Sequence, residues 1–311
     1  MKDTLVTLIG GGGFIGRYVA QNLLAAGARV RIVERDPRRT WFLKPLGGLG
    51  QTQFAAADVT RPDTIARAVA GSDAVVYLVG TFGPKFEAIH VDGARVAAEA
   101  AAATSARSFV LVSALGADAE SPSRYQATKA AGEEAVRAAF PAATVLRPSV
   151  VFGPEDKFLN RFAEMIARLP VVPVLKPNAK FQPVHVVDVA KAVMAALGDP
   201  TAHAGKMYEL AGPEVMTMAE LQHWLARAIG RSPAFLELPD VAGSMLAMGG
   251  FLPFAPITRD QWATLQRDNV ATGTLPGLSA LGIEPTPMEA VAPAWLVRYR
   301  KAGRFGVRAA V

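Results

Sequence analysis

The sequence predicts an α/β protein in which helices cover both faces of a parallel sheet. Over the first half of the chain, short apolar runs alternate with helical patterns, as is typical of such a sheet. The first apolar run leads directly into a turn whose glycines are spaced G-x-x-G-x-x-G. From Pro148 onward prolines become frequent and the alternation stops. We therefore predict a Rossmann-like, doubly wound domain over residues 1–150 and a smaller C-terminal lobe over residues 151–311, which returns some elements to the first domain.

The glycine-rich turn lies between a predicted buried strand, Leu5–Ile9, and a predicted amphipathic helix, Tyr18–Ala26. Together these form a dinucleotide phosphate site, because glycine lets the backbone approach the pyrophosphate, and the helix N-terminus attracts its charge. The alternative is a flexible turn without a ligand, which the strand and helix context disfavours. The predicted cofactor-binding residues of this loop are Gly10, Gly13, Phe14, Ile15, Gly16 and Arg17.

The other predicted elements follow from apolar runs and helical periodicity. The further strands of the first domain are Arg29–Val33, Gln53–Ala57, Ala74–Val79, Phe109–Ser113 and Thr144–Arg147. The helices between them are Pro62–Ala70, His90–Ala106 and Tyr125–Phe140. Later in the chain we predict a short strand and a helix within Val184–Leu197, and a strand at Lys206–Leu210. Thr217 and Glu220 form a capping box that opens a helix running to Ile229.

Composition excludes several classes of function. The 311 residues are 51% hydrophobic and 19% charged, as in globular rather than disordered proteins. The chain has no cysteine, which excludes disulfides and thiolate metal sites, and its four histidines lack metal-ligand spacing. No apolar run spans a bilayer, and the early first strand leaves us expecting no signal or transit peptide. The net charge of +6 fits an anionic cofactor, an acidic partner or a membrane surface. Without a basic stripe interleaved with aromatics, we expect no nucleic-acid partner.

Three charged residues decide between NAD and NADP. Glu34, at the end of the second strand, would hydrogen-bond the ribose 2′-hydroxyl and repel a 2′-phosphate, which favours NAD. Arg35 follows it directly and Arg17 lies in the first helical turn beside the same pocket. Because a guanidinium binds phosphate bidentately, the two arginines favour NADP(H) over NAD(H). The alternative is that both arginines are solvated surface charges.

Further cofactor contacts are predicted where the other strands of the sheet end. Asp58 either meets the adenine edge or caps a turn, a position that aspartate also favours. At the end of the fourth strand, the backbone of residues 78–80 can approach the cofactor. The predicted cofactor-binding residues of this group are Asp58, Val59, Leu78, Val79, Gly80, Ser113, Tyr125, Lys129 and Pro148.

Tyr125 and Lys129 are the predicted catalytic pair, with the spacing Y-x-x-x-K. Four residues apart on a helix, the two side chains share one face. The ammonium lowers the pKa of the phenol and can hold the nicotinamide ribose, and the phenol can exchange a proton during hydride transfer. His185 and Asp188 are interpreted as a strand histidine and a helix cap rather than as an acid–base pair. No metal site is predicted.

At these motifs the chain resembles the extended or atypical short-chain dehydrogenase/reductases. It is more closely similar to the family of the nucleotide-binding accessory subunit of respiratory complex I, over nearly the whole chain. The motifs that carry the resemblance are Gly10-x-x-Gly13-x-x-Gly16 with Arg17-Tyr18-Val19, Ser123-Arg124-Tyr125 with Lys129, Ala139-Phe140-Pro141, residues 146–154 and 182–190, Phe152–Asn160, Ile257–Asp260, Leu275–Gly277 and Leu281–Ile283. The later motifs are the more specific, since they lie in the variable half.

The resemblance implies bound NADPH, attachment to a membrane-embedded respiratory complex and no established turnover. Complex I subunits or assembly intermediates are the expected partners, on the cytoplasmic or mitochondrial-matrix-like side of the respiratory membrane. Two stretches fit peripheral membrane or partner contact: the almost uncharged Val241–Ile257, which alternatively forms a core or lid segment, and the basic tail Tyr299–Arg308. Related members are associated with ubiquinone biosynthesis, so an active NAD(P)-dependent oxidoreductase or epimerase is the alternative function.

One departure from the superfamily concerns catalysis. Its dehydrogenases place a Ser or Thr just past the fifth strand to polarise the substrate carbonyl, and here that position falls on Ala114 or Leu115. Ser113 comes one or two residues early, and one residue on a strand turns a side chain to the other face. Ser113 is therefore either a structural or a catalytic hydroxyl. We expect Tyr125 and Lys129 to support weak independent turnover or none.

Overall fold

The computed structural model describes residues 1–249, 257–301 and 303–305. The chain divides into two compact units. The first unit comprises Met1–Pro148, Val186–Leu210 and Thr272–Glu284. The second comprises the described parts of Ser149–His185, Ala211–Ala271 and Pro285–Val311.

The described residues alternate strands and helices in the first half, and several strands after it are only two residues long. The strands are β1 (Leu5–Ile9), β2 (Arg29–Glu34), β3 (Thr52–Ala56), β4 (Ala74–Tyr77), β5 (Ser108–Val112), β6 (Thr144–Pro148), β7 (Val151–Phe152), β8 (Val171–Leu175), β9 (Lys180–Phe181), β10 (Val184–His185), β11 (Met207–Leu210), β12 (Met216–Thr217) and β13 (Ala234–Leu238). The helices are α1 (Phe14–Ala25), α2 (Pro62–Val69), α3 (Gly93–Ala103), α4 (Arg124–Ala139), α5 (Leu159–Arg168), α6 (Val186–Gly198), α7 (Pro200–His203), α8 (Met218–Ala228), α9 (Asp240–Met248), α10 (Arg259–Thr264), α11 (Met288–Val291) and α12 (Pro293–Leu296).

A seven-stranded parallel sheet forms the centre of the first unit, in the order β11-β6-β5-β4-β1-β2-β3. β1, β4 and β5 are buried along their whole length, as expected for inner strands covered on both faces. The strand order reverses between β1 and β4, so the carboxyl ends of these strands mark the topological switch point. The predicted α/β, doubly wound fold class is confirmed, and the strand predicted at residues 206–210 becomes β11 at the edge of the sheet.

Two predicted helix boundaries are wrong. α1 begins at Phe14, four residues before the predicted Tyr18, because Gly13 is its N-cap and the first turn lies inside the glycine motif. The helix predicted over His90–Ala106 is a π-helical turn, Ala88–Asp92, followed by α3. The Tyr77 hydroxyl donates to the Ile89 carbonyl at 2.6 Å and so satisfies a backbone acceptor of that turn.

Short elements and a second apolar core make up the second unit. α5 and α8 pack together around buried side chains that include Leu159, Ile166, Leu221 and Leu225. The predicted capping box is present, because Thr217 and Glu220 exchange side-chain to backbone hydrogen bonds at the start of α8.

The uncharged stretch and the tail are only partly described. Within Val241–Ile257 the structure shows most of α9, whereas residues 250–256 lie outside the described residues, as do residues 302 and 306–311 of the tail region. On α9, Val241 is 70% exposed and Met245 67%. No helix among the described residues is both long and apolar enough to cross a membrane. The lid and partner interpretations of the stretch both stay predictions.

Candidate functional site

The glycine loop connects β1 to α1 in a geometry that requires glycine at specific places. Gly10 has φ +84°, a left-handed conformation, and its N–H donates to the Val33 carbonyl at 2.9 Å. A Cβ at Gly16 would lie 2.6 Å from the Gly11 carbonyl oxygen, so the first turn of α1 packs directly on the loop backbone. The loop therefore lies at the switch point, against the carboxyl ends of both β1 and β4.

Gly13 has a different environment from its neighbours in the loop. A Cβ there would meet only one chain atom within 4 Å, the Gly10 carbonyl oxygen at 3.2 Å. Gly13 is the N-cap of α1 and supplies no side-chain cap, so the first N–H groups of the helix have no partner from this residue. This is the arrangement in which a helix N-terminus binds a phosphate group.

The three residues predicted to choose the nucleotide have different surroundings in the structure. Glu34 Oε1 accepts a hydrogen bond from the Gly12 N–H at 3.1 Å, and burial raises the pKa of this carboxyl against the opposing effects of that bond and of Arg35. Arg35 is exposed. The Arg17 guanidinium lies over the Phe42 ring, 4.9 Å from its centroid. Glu34 therefore holds the loop, whichever nucleotide binds.

A 3₁₀ helix after β2, Pro37–Leu46, was absent from the predicted elements and adds further arginines near this strand end. Asp36 caps it by accepting from the Arg38 backbone N–H at 3.3 Å, and its carboxylate also pairs with the Arg38 side chain at 2.9 Å. The side chain of Arg39 lies 3.7 Å from the same carboxylate. The apolar and polar residues of this 3₁₀ helix follow no helical stripe and a proline lies inside it, so helical periodicity gives no signal for this segment.

Asp58 forms a turn cap in the structure. Its Oδ1 accepts from the Thr60 N–H at 2.9 Å and from the Thr60 hydroxyl at 2.8 Å. The backbone hydrogen bond from Thr60 lowers the pKa of Asp58, and the charges of Arg35 and Lys85 lower it further. The capping alternative thus accounts for one carboxylate oxygen, while adenine contact stays a prediction. Val59, partly buried, packs against the main core.

The ends of β4 and β6 approach the Tyr–Lys helix and the loop after β5. The Leu78 N–H donates to the Ile9 carbonyl at 2.9 Å, so residues 78–80 continue alongside β1. A Cβ at Gly80 would lie 3.6 Å from the Lys129 Nζ. The Pro148 carbonyl accepts from the Leu115 N–H at 2.8 Å. The structure thus brings these predicted residues together at the carboxyl ends of the strands.

Lys129 is buried beside Tyr125 on α4. Its Nζ donates to the Val112 carbonyl at 3.2 Å and lies 5.9 Å from the centroid of the Tyr125 ring. Burial lowers the pKa of Lys129 to about 8, against the opposing charge of Glu133. With a cofactor bound, such a pair can hold the ribose and exchange a proton at the phenol oxygen, while the nicotinamide supplies or takes the hydride.

The lowered pKa of Lys129 predicts how stability depends on pH. Between about pH 8 and the usual lysine value of 10.5, the unfolded chain keeps the proton that the folded chain has lost, so stability rises with pH. Relative to Lys129→Met, the free energy of unfolding of the wild type should rise by about 1–2 kcal/mol from pH 8 to 9.5. Urea denaturation of both proteins across this range measures the difference, and a flat difference would show that Lys129 titrates normally.

Ser113 follows β5 and is 4% exposed. Its N–H donates to the Leu146 carbonyl at 2.8 Å, whereas its buried Oγ has no hydrogen-bond partner among the described residues. Ala114 and Leu115, the positions where the superfamily places its carbonyl-polarising hydroxyl, are buried and apolar. A buried hydroxyl without a partner is uncommon. Because no contact of the Ser113 Oγ with the described residues distinguishes a structural from a catalytic role, both interpretations stay predictions.

Two aromatic residues that the sequence analysis missed pack on Tyr125. Phe82, half exposed, stacks on the phenol ring at 4.2 Å with an interplanar angle of 16°. His90 meets the same ring edge-on at 5.4 Å. His90 Nε2 accepts from the Thr81 N–H at 3.0 Å, so its Nδ1 carries the proton and donates to the Thr128 hydroxyl at 2.9 Å. Burial, with a smaller effect of the Lys129 charge, lowers the pKa of His90 to about 3, so the ring stays neutral.

A buried ion pair lies one turn beyond Lys129. Arg147 on β6 forms two hydrogen bonds to Glu133 on α4, at 2.9 and 2.6 Å, and Glu133 is almost fully buried. Arg147 is also the register partner of Glu209 on β11, which accepts from the Thr272 N–H at 2.7 Å. Alternating charges therefore hold the Lys129 end of α4 to the edge of the sheet. Spacing along the sequence gives no sign of pairs so far apart.

His185 ends β10, as the strand interpretation predicted, whereas Asp188 lies within the first turn of α6 and its role as a helix cap stays a prediction. The His185 ring is parallel to Trp295 within 7° at 6.3 Å and also contacts Phe152. Asp188 is fully buried and its Oδ1 accepts from Lys191 at 3.0 Å. Among the described residues, no group of three or more His, Asp or Glu side chains is placed to hold a metal ion.

Comparison with known proteins places this geometry in context. A model of the NAD dependent epimerase/dehydratase family matches residues 6–211. The chain is 35% identical over 309 residues to NADH dehydrogenase (ubiquinone) 1 alpha subcomplex subunit 9, mitochondrial, of Mus musculus, covering 96% of this chain and 81% of that protein. It is 31% identical over 291 residues to a ceramide reductase of Caulobacter vibrioides, covering 92% and 87%. It shares its fold with the NAD-bound dTDP-glucose 4,6-dehydratase DesIV of Streptomyces venezuelae, with a TM-score of 0.76, 18% identity, and 97% and 98% coverage.

Proposed function

The chain belongs to the NAD-dependent epimerase/dehydratase family, and we propose that it is an NADP(H)-binding accessory or assembly subunit of a respiratory complex I. One observation carries this proposal: the likeness to subunit 9 extends over 96% of the chain. The family model ends at residue 211, whereas the likeness to subunit 9 covers 96% of the chain and so extends past that residue. Nicotinamide cofactor binding belongs to the family as a whole; the preference for NADP(H) and the role in complex I are proposals.

In this role the nucleotide acts as a structural ligand. A ligand that binds only the folded state stabilises it, by about 4 kcal/mol when its concentration is a thousand times its Kd. The loop, the ends of β1 and β4, and the Tyr125–Lys129 pair can all contribute to such binding without turnover. The proposed partners are complex I subunits or assembly intermediates, with peripheral contact to the membrane.

The preference for NADP(H) is proposed from the excess of guanidinium groups near the end of β2. Glu34 already accepts a hydrogen bond from the loop, so part of its carboxylate capacity is used within the protein. Arg35 follows it and is exposed, and Arg17 on α1 packs on Phe42 of the segment that follows β2. Guanidinium groups bind a 2′-phosphate strongly, which a ribose hydroxyl cannot match.

Nucleotide titration tests this preference. We expect NADPH to bind at least about tenfold more tightly than NADH, since a charge-assisted hydrogen bond contributes roughly 1.5–3 kcal/mol. Arg35→Ala should lose most of the difference between the affinities for NADPH and NADH. The control Arg67→Ala removes an exposed arginine paired with Asp63 on α2 and should keep that difference. Equal affinities in the wild type would show that Glu34 governs the pocket and that NAD is the ligand.

The alternative function is an active NAD(P)-dependent oxidoreductase. The observation in its favour is that Tyr125 and Lys129 share one face of α4, and that a ceramide reductase is among the relatives. Against it, the superfamily's carbonyl-polarising position is apolar here. Removing one preorganised donor typically lowers a rate by about 10²–10³. We therefore propose weak turnover or none.

Complementation separates the two functions. In cells that lack the protein, Tyr125→Phe should restore complex I assembly nearly as well as the wild type, because the ring and its packing remain. Assembled complex I is measured on native gels, and co-purification reports the partners. A purified protein that oxidises NADPH with a defined carbonyl substrate and loses this activity in Tyr125→Phe would instead establish the oxidoreductase.

A further inference from the structure

The segment after β2 carries an apolar surface that the fold of this chain does not explain. Thr40 and Leu43 point inward and are buried, and a Cβ on Gly12 would lie against the Thr40 methyl group, so the segment is fixed to the glycine loop. The outward side chains are nevertheless large and apolar. Their exposed fractions are Trp41 56%, Phe42 49%, Leu46 45% and Leu49 107%. Four such residues within nine positions form a patch, not the scattered exposure normal for a surface.

Cations surround this patch. The side chains of Arg38 and Arg39 are 75% and 86% exposed, and the Lys44 ammonium lies over the Trp41 ring, 5.9 Å from its centroid. Residues 35–49 contain four cationic side chains and one acidic one, Asp36, which is already engaged by Arg38. We call residues 38, 39, 41, 42, 44, 46 and 49 the apolar-basic surface.

From this combination we propose that the apolar-basic surface docks on an anionic lipid bilayer. Trp and Leu enter the boundary between headgroups and acyl chains, and Arg and Lys pair with the lipid phosphates above it. Leu49, fully exposed in a glycine-rich turn, and Trp41 are the side chains that insert. This inference rests on the proposed peripheral contact with the membrane and assigns that contact to residues of the first compact unit.

The charges of the surface argue against the other occupants. A second copy of the chain would place the same cationic side chains opposite one another, and like charges in contact disfavour association. An acidic protein would satisfy the cations, but it would need a pocket for the fully projecting Leu49. A fluid bilayer accepts a protruding side chain without a preformed pocket.

Vesicle sedimentation tests the proposal with the whole protein. We expect binding to phosphatidylcholine vesicles that contain one third phosphatidylglycerol, and much weaker binding to phosphatidylcholine alone or at high salt. Lys44→Gln and Arg39→Gln should each weaken binding about fivefold. Trp41→Ser combined with Leu49→Ser should weaken it at least about tenfold. Absence of wild-type binding to the anionic vesicles, or equal binding by these variants, would overturn the proposal.

A matched control separates this surface from apolar exposure in general. Val171→Ser combined with Leu236→Ser removes two exposed apolar side chains from β8 and β13, outside both proposed membrane surfaces, and should leave vesicle binding within about twofold. An equal loss in this control would overturn the assignment to the apolar-basic surface. Circular dichroism and NADPH affinity, unchanged in the Trp41/Leu49 variant, show that it folds.

Tryptophan fluorescence reports insertion directly. The chain has four tryptophans, and Trp41 alone belongs to the apolar-basic surface. Wild-type emission should shift to shorter wavelength on adding anionic vesicles, and Trp41→Phe should still bind but lose the shift. A shift retained in Trp41→Phe would place another tryptophan in the bilayer and overturn the proposed orientation. Sedimentation velocity that shows a dimer broken by Trp41→Ser would assign the surface to self-association instead.

Discussion

Valine at Gly13 is expected to abolish dinucleotide binding while leaving the unliganded chain folded. A Cβ at this position would lie 3.2 Å from the Gly10 carbonyl oxygen, a tight contact that the loop must relieve by a small shift, and apart from its chain neighbours it meets no other atom of the described residues within 4 Å. The added methyl groups then occupy the space in front of the N–H groups of α1, where the pyrophosphate binds. Losing two charge-assisted hydrogen bonds at roughly 1.5 kcal/mol each weakens NADPH binding at least about 100-fold. Fluorescence titration of NADPH measures the affinity.

The neighbouring glycine supplies the contrast. A Cβ at Gly16 would lie 2.6 and 2.7 Å from the Gly11 and Gly10 carbonyl oxygens, which are backbone atoms and cannot rotate away. Gly16→Val should therefore lower the melting temperature of the unliganded protein sharply. Gly13→Val should lower the free energy of unfolding by only about 1–2 kcal/mol, because valine is a poor N-cap and its Cβ presses on the Gly10 carbonyl oxygen. If Gly13→Val binds NADPH as the wild type does, the loop is a structural turn and the cofactor proposal fails.

The central sheet could be predicted because its signals are local. Each of its elements can be recognised from a short run of neighbouring residues. Examples are the buried strands β1, β4 and β5 and the glycines between the first strand and helix. The start of α1 was misplaced because a glycine is both a turn residue and an N-cap. The capping box at Thr217 was predictable for the same reason, since both partners lie within one turn.

The surroundings of Tyr125 could not be predicted, because they depend on contacts between distant residues. Phe82 reaches the phenol from the loop after β4, and His90 joins that loop to Thr128 on α4 across 38 positions. The same holds for the partners of Arg147. A sequence pattern indicates which residues share a face of one element, but not which elements meet.

Alanine at Glu133 is expected to destabilise the first unit more than any surface substitution. It leaves Arg147, whose side chain is only 19% exposed, without the carboxylate that binds it bidentately. Removing one partner of a buried ion pair typically costs about 3–5 kcal/mol. Because Arg147 keeps Glu209 as a neighbour on β11, we expect the lower end, about 3 kcal/mol. Urea denaturation followed by circular dichroism measures the change in the free energy of unfolding.

Glu99→Ala is the matched control, because it removes a carboxylate that pairs with Arg95 at 2.7 Å on an exposed helix face. The free energy of unfolding of Glu99→Ala should fall by no more than about 0.5 kcal/mol.

A second measurement connects Glu133 to the site. Its charge raises the pKa of Lys129, so Glu133→Gln should move that pKa below about 8. The ammonium that can hold the ribose would then be lost at lower pH, and NADPH affinity should fall earlier as pH rises. Equal destabilisation by Glu99→Ala and Glu133→Ala, with an unchanged pH dependence in Glu133→Gln, would mean that the buried pair neither stabilises α4 nor acts on Lys129.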